Sequence, residues 1–223
     1  MKERPILFST PMVKAILDGK KTQTRRVIKP QPEEHVIIPD KINGLKWNGV
    51  NYGSITRDER GSIAETSLAT ICPYGQPGDT LWVRETWNVC DVGYDGYNGA
   101  FEAGYPLVTI PASKPEYGNM VYYKADGNEE PPWRPSIHMP RWASRITLQI
   151  TNIKVERVQD ITEKDAVAEG IETHLSGCWT PTGGYADNAR LAFGALWDSI
   201  NAKRGYSWDD NPWVWVIEFE RIK

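Results

Sequence analysis

Glycine and proline occur so often between residues 30 and 78 that no long helix or strand fits into this stretch. Eleven of them stand there: Pro30, Pro32, Pro39, Gly44, Gly49, Gly53, Gly61, Pro73, Gly75, Pro77 and Gly78. We therefore predict an insertion with short strands at about 30–77. Residues 90–119 are again rich in glycine, tyrosine and proline, which predicts a second insertion at about 86–140. The chain of 223 residues is predicted to form one domain, 1–223, that carries both.

The remaining segments have the hydrophobic periodicity of regular structure. Apolar runs predict strands at residues 5–8, 22–28, 80–85, 120–124, 146–150, 153–158 and 212–220. Helical spacing predicts three helices, at 11–18, between Thr162 and Gly170, and at 186–203. Thr10 is the expected N-cap of the first helix, and Gly19 is its expected stop. The expected apolar face of the third helix consists of Ala192, Ala195, Leu196 and Ile200.

The order of these elements defines a fold class. Most are strands, the three helices do not alternate regularly with them, and the chain has neither a GxGxxG motif nor a Walker lysine loop. A doubly wound nucleotide-binding fold is therefore disfavoured. We predict a mixed α+β fold in which the strands form a barrel or a strongly bent sheet.

Charge is unevenly distributed along the chain. The formal net charge is -3, which argues against a protein that coats nucleic acid by bulk electrostatics. Residues 1–29, however, hold eight lysines and arginines against two acidic residues. A local anionic ligand is thus more credible than a long polyanion. The ten tryptophans exceed ordinary usage, and they suit core positions, loop anchors and base-stacking surfaces alike.

The cysteines and histidines have no spacing typical of a disulfide framework or a metal site. Three cysteines (Cys72, Cys90 and Cys178) form no CxxC pair, and three histidines (His35, His138 and His174) are scattered. No segment resembles a signal peptide or a membrane span. We therefore expect a cytoplasmic protein with no metal, no cofactor and no membrane partner.

The most basic segment follows the first predicted helix directly and reads Gly19-Lys20-Lys21-Thr22-Gln23-Thr24-Arg25-Arg26. This segment contains four cationic side chains and two threonine hydroxyls. Such a cluster of hydrogen-bond donors is typical of a site that binds or processes nucleotides. Lysines at a helix C-terminus also complement the helix dipole. Part of this charge can therefore be ordinary capping.

Four segments in this order resemble the ASCH domain, a family with a PUA-like β-barrel. They are the basic segment, the strand Gly78-Asp79-Thr80-Leu81-Trp82-Val83-Arg84-Glu85, the helix Ile161-Thr162-Glu163-Lys164-Asp165-Ala166-Val167-Ala168-Glu169-Gly170, and the closing Trp215-Val216-Ile217-Glu218-Phe219. The match covers roughly half of the chain, because the family core is one compact domain. Longer ASCH-like proteins of bacteriophages and prophages are the most similar, since they also carry the stretch Trp133-Arg134-Pro135-Ser136-Ile137-His138-Met139-Pro140-Arg141-Trp142.

The resemblance implies a set of catalytic residues. In the bacterial ASCH enzymes that hydrolyse N4-acetylcytidine, the functional lysine, threonine and glutamate match Lys21, Thr24 and Glu169. A threonine hydroxyl becomes a nucleophile once a base accepts its proton, and lysine is such a base where its pKa is lowered. Lys21 and Thr24 are three residues apart and would point to opposite faces of a regular strand, so their convergence requires a bend. Alternatively, Glu169 activates a water molecule.

Further cations and aromatic residues are candidates for substrate binding. Arg26, with Lys20 and Arg25 beside it, has the donors to hold a substrate oxygen or a phosphate. Arg84 is a weaker candidate, because it can equally form a structural ion pair with Glu85. The loop 133–142 adds Arg141 and Trp142, which suit base stacking, a lid over the site, or simple anchoring of the loop.

These residues lead to one main functional hypothesis and two alternatives. The main hypothesis is an amidohydrolase that acts on an acylated cytidine nucleoside or a related modified base, with a nucleoside or an RNA base as its partner. The first alternative is a noncatalytic module that binds RNA or a modified base. The second is a ribonuclease.

Overall fold

The computed structural model describes residues 1–38, 41–48, 50–52, 55–57, 63–65, 68–91, 119–127, 133–174, 177–180 and 182–223. Its strands are β1 Glu3–Leu7, β2 Gln23–Val27, β3 Glu33–Ile38, β4 Lys41–Trp47, β5 Val50–Tyr52, β6 Ile55–Arg57, β7 Ile63–Glu65, β8 Thr80–Arg84, β9 Trp87–Asp91, β10 Asn119–Tyr123, β11 Thr147–Arg157, β12 Glu172–His174, β13 Gly177–Trp179, β14 Tyr185–Ala186 and β15 Trp213–Arg221. Its α-helices are α1 Thr10–Leu17, α2 Glu163–Ala168 and α3 Ala189–Asn201.

A five-stranded sheet forms the centre of the structure, with the strand order β1-β8-β11-β15-β2. β1 and β8 run parallel, and the other neighbours are antiparallel. This mixture of strands and helices confirms the predicted α+β class. Among the described strands the sheet does not close into a barrel, because β1 and β2 remain its two edges.

The two edges nevertheless approach each other. An Nη2 of Arg26, on β2, donates a hydrogen bond of 2.7 Å to the backbone oxygen of Leu7, at the end of β1. One arginine side chain thus spans the gap between the first and the last strand of the sheet. A sheet of five strands reaches this geometry only if it is strongly bent, as the sequence predicts.

The longest strand differs from the sequence prediction. Residues 146–150 and 153–158 were expected to form two strands separated by a break, but β11 is continuous and pairs with β15 along nearly its whole length. The register shifts between Ile150 and Asn152, so Thr151 is an extra residue in a β-bulge. A bulge interrupts the side-chain alternation without ending the hydrogen-bonded ladder, which explains why the sequence pattern resembled a break.

The helices agree with their predicted positions but differ in detail. Ser9, not Thr10, is the N-cap of α1, because Thr10 already has helical geometry and Pro11 occupies the first turn. Thr162 and Asp165 form a capping box at the start of α2. The buried face of α3 consists of Ala189, Ala192, Phe193, Gly194, Leu196 and Trp197, whereas Ala195 and Ile200 are exposed. None of these three helices is long and apolar enough to cross a bilayer.

Two apolar clusters hold the described parts of the chain together. The larger one lies between the central sheet and the helices, with residues such as Ile16, Leu148, Phe193, Trp197 and Ile217. The smaller one consists of Trp87, Val89, Met139 and Ala143, and it packs the loop 133–142 against the hairpin of β9 and β10. Several tryptophans are therefore core residues and loop anchors, two of the roles that the sequence left open.

The two predicted insertions are only partly described. Short strands, β3 to β7, occur in the described parts of 30–77, as the glycine and proline content indicates. Within the second insertion, residues 92–118 and 128–132 lie outside the described residues.

Candidate functional site

The turn between α1 and β2 places the basic segment against the end of α2. Gly19 has a φ of +72°, which glycine adopts without strain, and the backbone N-H groups of Lys20 and Lys21 both donate to the oxygen of Ala15. The next residue, Thr22, donates its N-H to the oxygen of Ala168 at 2.9 Å. The chain therefore enters the edge strand β2 directly beside the residue that follows α2, which is Glu169.

A buried ion pair between Lys21 and Glu169 results from this turn. The Nζ of Lys21 lies 2.5 Å from Oε2 of Glu169 and donates a second hydrogen bond of 2.8 Å to the backbone oxygen of Glu169. Only 3% of Lys21 and 4% of Glu169 are exposed. Burial lowers the pKa of the Lys21 ammonium; Glu169 opposes this shift, and the guanidinium groups of Arg26 and Arg25 add to it.

Arg25 supports Glu169 from the other side. Its guanidinium lies 3.4 Å from Oε1 of Glu169, donates to Glu156 at 2.6 Å and to Gln23 at 2.6 Å, and stacks over the ring of Phe193. These contacts join β2 to β11 and to both neighbouring helices. They fix the guanidinium of Arg25 beside Glu169, and its predicted contact with a substrate stays a prediction.

Thr24 lies on the opposite face of β2 from Arg25. Its cross-strand neighbour is Ile217, so both side chains project from the core face of the sheet. Thr24 is buried, with 4% of the residue exposed. Arg26 follows two residues later and shares this face.

Lys21 precedes β2 and is not bound by its side-chain alternation, so its side chain can approach the face of the strand that carries Arg26. The ring of Phe8 lies 5.8 Å from Nζ of Lys21 and 5.1 Å from the guanidinium of Arg26. Lys21 and Arg26 therefore converge on one aromatic ring, on the side of β2 that carries Thr24. The turn at residues 19–22 bends the chain before β2. Convergence of the Lys21 amine and the Thr24 hydroxyl stays a prediction.

The guanidinium of Arg26 has a hydrogen-bond donor that is not used within the described structure. Its Nε is buried without a hydrogen-bond partner in the described structure, although its Nη2 is bound to Leu7. Burial lowers the pKa of this guanidinium, whereas Tyr74 and Glu169 raise it. Tyr74 and Arg204, which also acts on the pKa of Arg26, are neighbours that the sequence did not single out. No local motif marks them, because they come from distant parts of the chain.

The other predicted binding residues have different surroundings. Lys20 is exposed and pairs with Glu172 at 2.7 Å. Arg84 donates to the backbone oxygen of Met139 and lies over Trp82, so the expected ion pair between Arg84 and Glu85 is wrong. Arg141 binds Glu3 at the surface, and Trp142 packs edge-on against Trp87 at 5.9 Å.

Glu85 instead belongs to a second buried ionic cluster. Arg145 binds both of its carboxylate oxygens, at 3.0 and 3.1 Å, and also contacts Asp126 and the ring of Tyr123. Burial raises the pKa of Glu85, and Arg145 opposes this shift. The cluster anchors the end of the loop 133–145 on the sheet.

Comparison with known protein families, with curated proteins and with solved structures finds no match to this chain. The residues that the structure describes also include no group of three His, Cys, Asp or Glu side chains arranged to hold a metal ion.

Proposed function

We propose that this protein is an amidohydrolase that removes an acyl group from the exocyclic amine of a modified cytosine. The proposal includes the PUA-like barrel and the ASCH membership that the sequence resemblance implies. One observation carries it: a buried Lys21–Glu169 pair lies at the start of the strand that carries the buried Thr24. Burying two ionised groups costs more free energy than a surface position, which favours a chemical role for the pair.

In the Lys21–Glu169 pair, one proton can lie either on the amine of Lys21 or on the carboxylate of Glu169. Burial disfavours the ammonium of Lys21, and the short contact to Glu169 allows the proton to pass to the carboxylate. The proposed cycle starts with this proton on Glu169 and with the amine of Lys21 free to accept another. This state supplies a base and an acid to the same reaction.

Acyl transfer to Thr24 is the first half of the proposed reaction. The hydroxyl oxygen of Thr24 attacks the carbonyl carbon while its proton passes to the amine of Lys21. The tetrahedral intermediate then collapses, the C-N bond breaks, and Glu169 donates its proton to the leaving amine. The product amine departs, and Thr24 holds the acyl group as an ester beside a charged Lys21–Glu169 pair.

Hydrolysis of the ester restores the site. Glu169, now a carboxylate, accepts a proton from a water molecule that attacks the ester carbonyl. The bond to Thr24 breaks as Lys21 returns a proton to the threonine oxygen, and the acid leaves. The free Nε-H of Arg26 is suited to donate to the oxyanion in both halves, because it is already desolvated.

Product formation from N4-acetylcytidine tests the proposal. Purified wild type, Thr24→Val and Thr24→Ser are incubated with the nucleoside, and cytidine is measured by chromatography. Valine has the shape of threonine without the hydroxyl, so we expect turnover to fall by at least about 100-fold. Serine keeps the hydroxyl and is expected to retain measurable turnover. An acetylated peptide containing Thr24, trapped by acid quench and found by mass spectrometry, would distinguish the ester route from direct attack of water activated by Glu169.

Two other outcomes would replace the proposal. Binding of the nucleoside without turnover, weakened by Arg26→Met and unchanged by Thr24→Val, would indicate a module that binds modified bases. Shortening of end-labelled RNA by the wild type would indicate a ribonuclease.

A further inference from the structure

A groove of about 550 Å³ lies between α1 and the strands β12 and β13. Its volume lies within the range of small-molecule sites. Ala15 and Gly170 form its floor, and each is joined to the Lys21–Glu169 pair through the backbone, but neither Lys21 nor Glu169 lines it. The groove is therefore a separate site that adjoins the proposed active site.

Trp179 forms an aromatic wall of this groove. Its strand, β13, alternates: Cys178 is buried in the core against α3, and the next side chain, Trp179, projects outward with 38% of its surface exposed. Tyr185 is its cross-strand neighbour and packs edge-on against it, with ring centroids 5.1 Å apart. The ring of Tyr185 in turn covers Gly177 so closely that a Cβ there would clash. The packing of Tyr185 therefore fixes the exposed indole of Trp179 in place.

The polar lining of the groove is nearly neutral in charge. Asp18 and Glu172 both contact Lys20, at 3.6 and 2.7 Å, so their charges are partly balanced. Lys14 is exposed and makes no ion pair with the residues that the structure describes. Thr10 lies one helical turn before it, on the same side of α1. The groove therefore offers one flat aromatic surface, one available cation and several hydrogen-bonding groups.

We propose that this groove binds a nucleobase, stacked on Trp179, with the attached phosphate contacting Lys14. A fixed, exposed indole favours a flat heterocycle, since base stacking on an aromatic side chain needs only a π-face. The balanced carboxylates are suited to accept hydrogen bonds from base amines and ribose hydroxyls. Because a single cation is available, binding depends mainly on stacking and only weakly on salt.

Fluorine NMR on protein labelled with 5-fluorotryptophan tests this inference directly. The Trp179→Phe variant identifies the Trp179 resonance by its loss. The labelled protein is titrated with cytidine 5′-monophosphate and, separately, with an octamer of cytidine ribonucleotides. We expect a saturable shift of the Trp179 resonance, and the same shift in a Lys21→Met background, because that residue does not line the groove. A shift with both ligands identifies a mononucleotide site; a shift with the octamer alone identifies a base within a strand.

Variants measure the contribution of each contact. Trp179→Ala is expected to weaken binding of the octamer by about tenfold, and Trp179→Phe, which keeps an aromatic surface, by much less. Lys14→Gln is expected to weaken it slightly, whereas Lys203→Gln, an exposed lysine outside the groove lining, leaves it unchanged. An unmoved Trp179 resonance with both ligands, or a shift that disappears in Lys21→Met protein that is still folded by circular dichroism, would overturn the inference. Absence of hydrolysis would not, since binding is the quantity measured.

Discussion

Two buried glutamates in this protein have cationic partners, but their surroundings differ. Arg145 binds both oxygens of Glu85, and its remaining donors go to Asp126, so the second cluster leaves few donors free. Glu169 is shared between Lys21 and Arg25, and nearby the Nε of Arg26 has no hydrogen-bond partner in the described structure.

Under the proposed function, this difference separates a structural ion pair from a reactive one. A guanidinium that grips a carboxylate with two bonds keeps its proton throughout the working pH range. A lysine amine loses its proton much more readily when it is buried, and burial lowers the pKa of Lys21. The cluster at Glu85 therefore holds a loop on the sheet, whereas we propose that the Lys21–Glu169 pair exchanges a proton during the reaction.

The largest changes in activity and in stability are expected when the cation of each ion pair, Lys21 or Arg145, is replaced by methionine. In Lys21→Met we expect turnover of N4-acetylcytidine to fall by about 100-fold to 10000-fold, because the base is lost. In Arg145→Met we expect a loss of about 3–5 kcal/mol in the free energy of unfolding, because Glu85 is left without its partner. Activity per folded molecule is expected to remain. Urea denaturation and chromatographic assays, corrected for the folded fraction, measure both quantities.

A double variant is the control for the Lys21 result. Lys21→Met with Glu169→Gln removes both charges, so it should be more stable than Lys21→Met alone and equally inactive. Equal losses of activity in Lys21→Met and Arg145→Met would mean that the two clusters do not differ in role.

An intermediate effect is expected in the pH dependence of stability. Burial raises the pKa of Glu85 above its ordinary value of 4.5, so the folded state binds more protons than the unfolded state just above pH 4.5. The stability of the wild type relative to Glu85→Gln should therefore fall as the pH rises from 4.5, by about 1.4 kcal/mol for each unit of pKa shift, and then level off.

Lys21 should show the opposite slope at alkaline pH. Its folded pKa is lowered below 10.5, so the unfolded state binds the extra proton between the two values. Wild-type stability relative to Lys21→Met should rise with pH through that window, up to about 10.5. Denaturant titrations at a series of pH values measure both slopes, and slopes of the same sign would contradict this account.

The smallest effect is expected for a pair with the same chemistry at the surface. Lys154 and Glu218 lie 2.6 Å apart on β11 and β15, but Lys154 is exposed. Lys154→Met is expected to change the free energy of unfolding by less than about 1 kcal/mol, because water and salt screen an exposed pair. A loss as large as that of Lys21→Met would show that burial is not what distinguishes the two lysine–glutamate pairs.

Sequence signals predicted the helices and strands well where the structure depends on interactions between adjacent residues. The helix stop at Gly19, the capping box of Thr162 and Asp165, and the apolar run of β15 each depend on a few adjacent residues. Prediction was less accurate where contacts with another element determine the local structure. The bulge at Thr151 depends on the register with β15, and the buried face of α3 depends on Trp208, which packs against Gly194 and Phe193.

The sequence by itself determined that this chain forms an α+β protein with a basic turn behind its first helix, because periodicity, glycine and charge act over short distances. Only the tertiary structure decided which cations meet which carboxylates. Glu169 follows Lys21 by 148 residues and reaches it because β2 is an edge strand beside the end of α2. Arg84 and Glu85 are adjacent in sequence, yet they bind different partners, since neighbouring strand residues point to opposite faces.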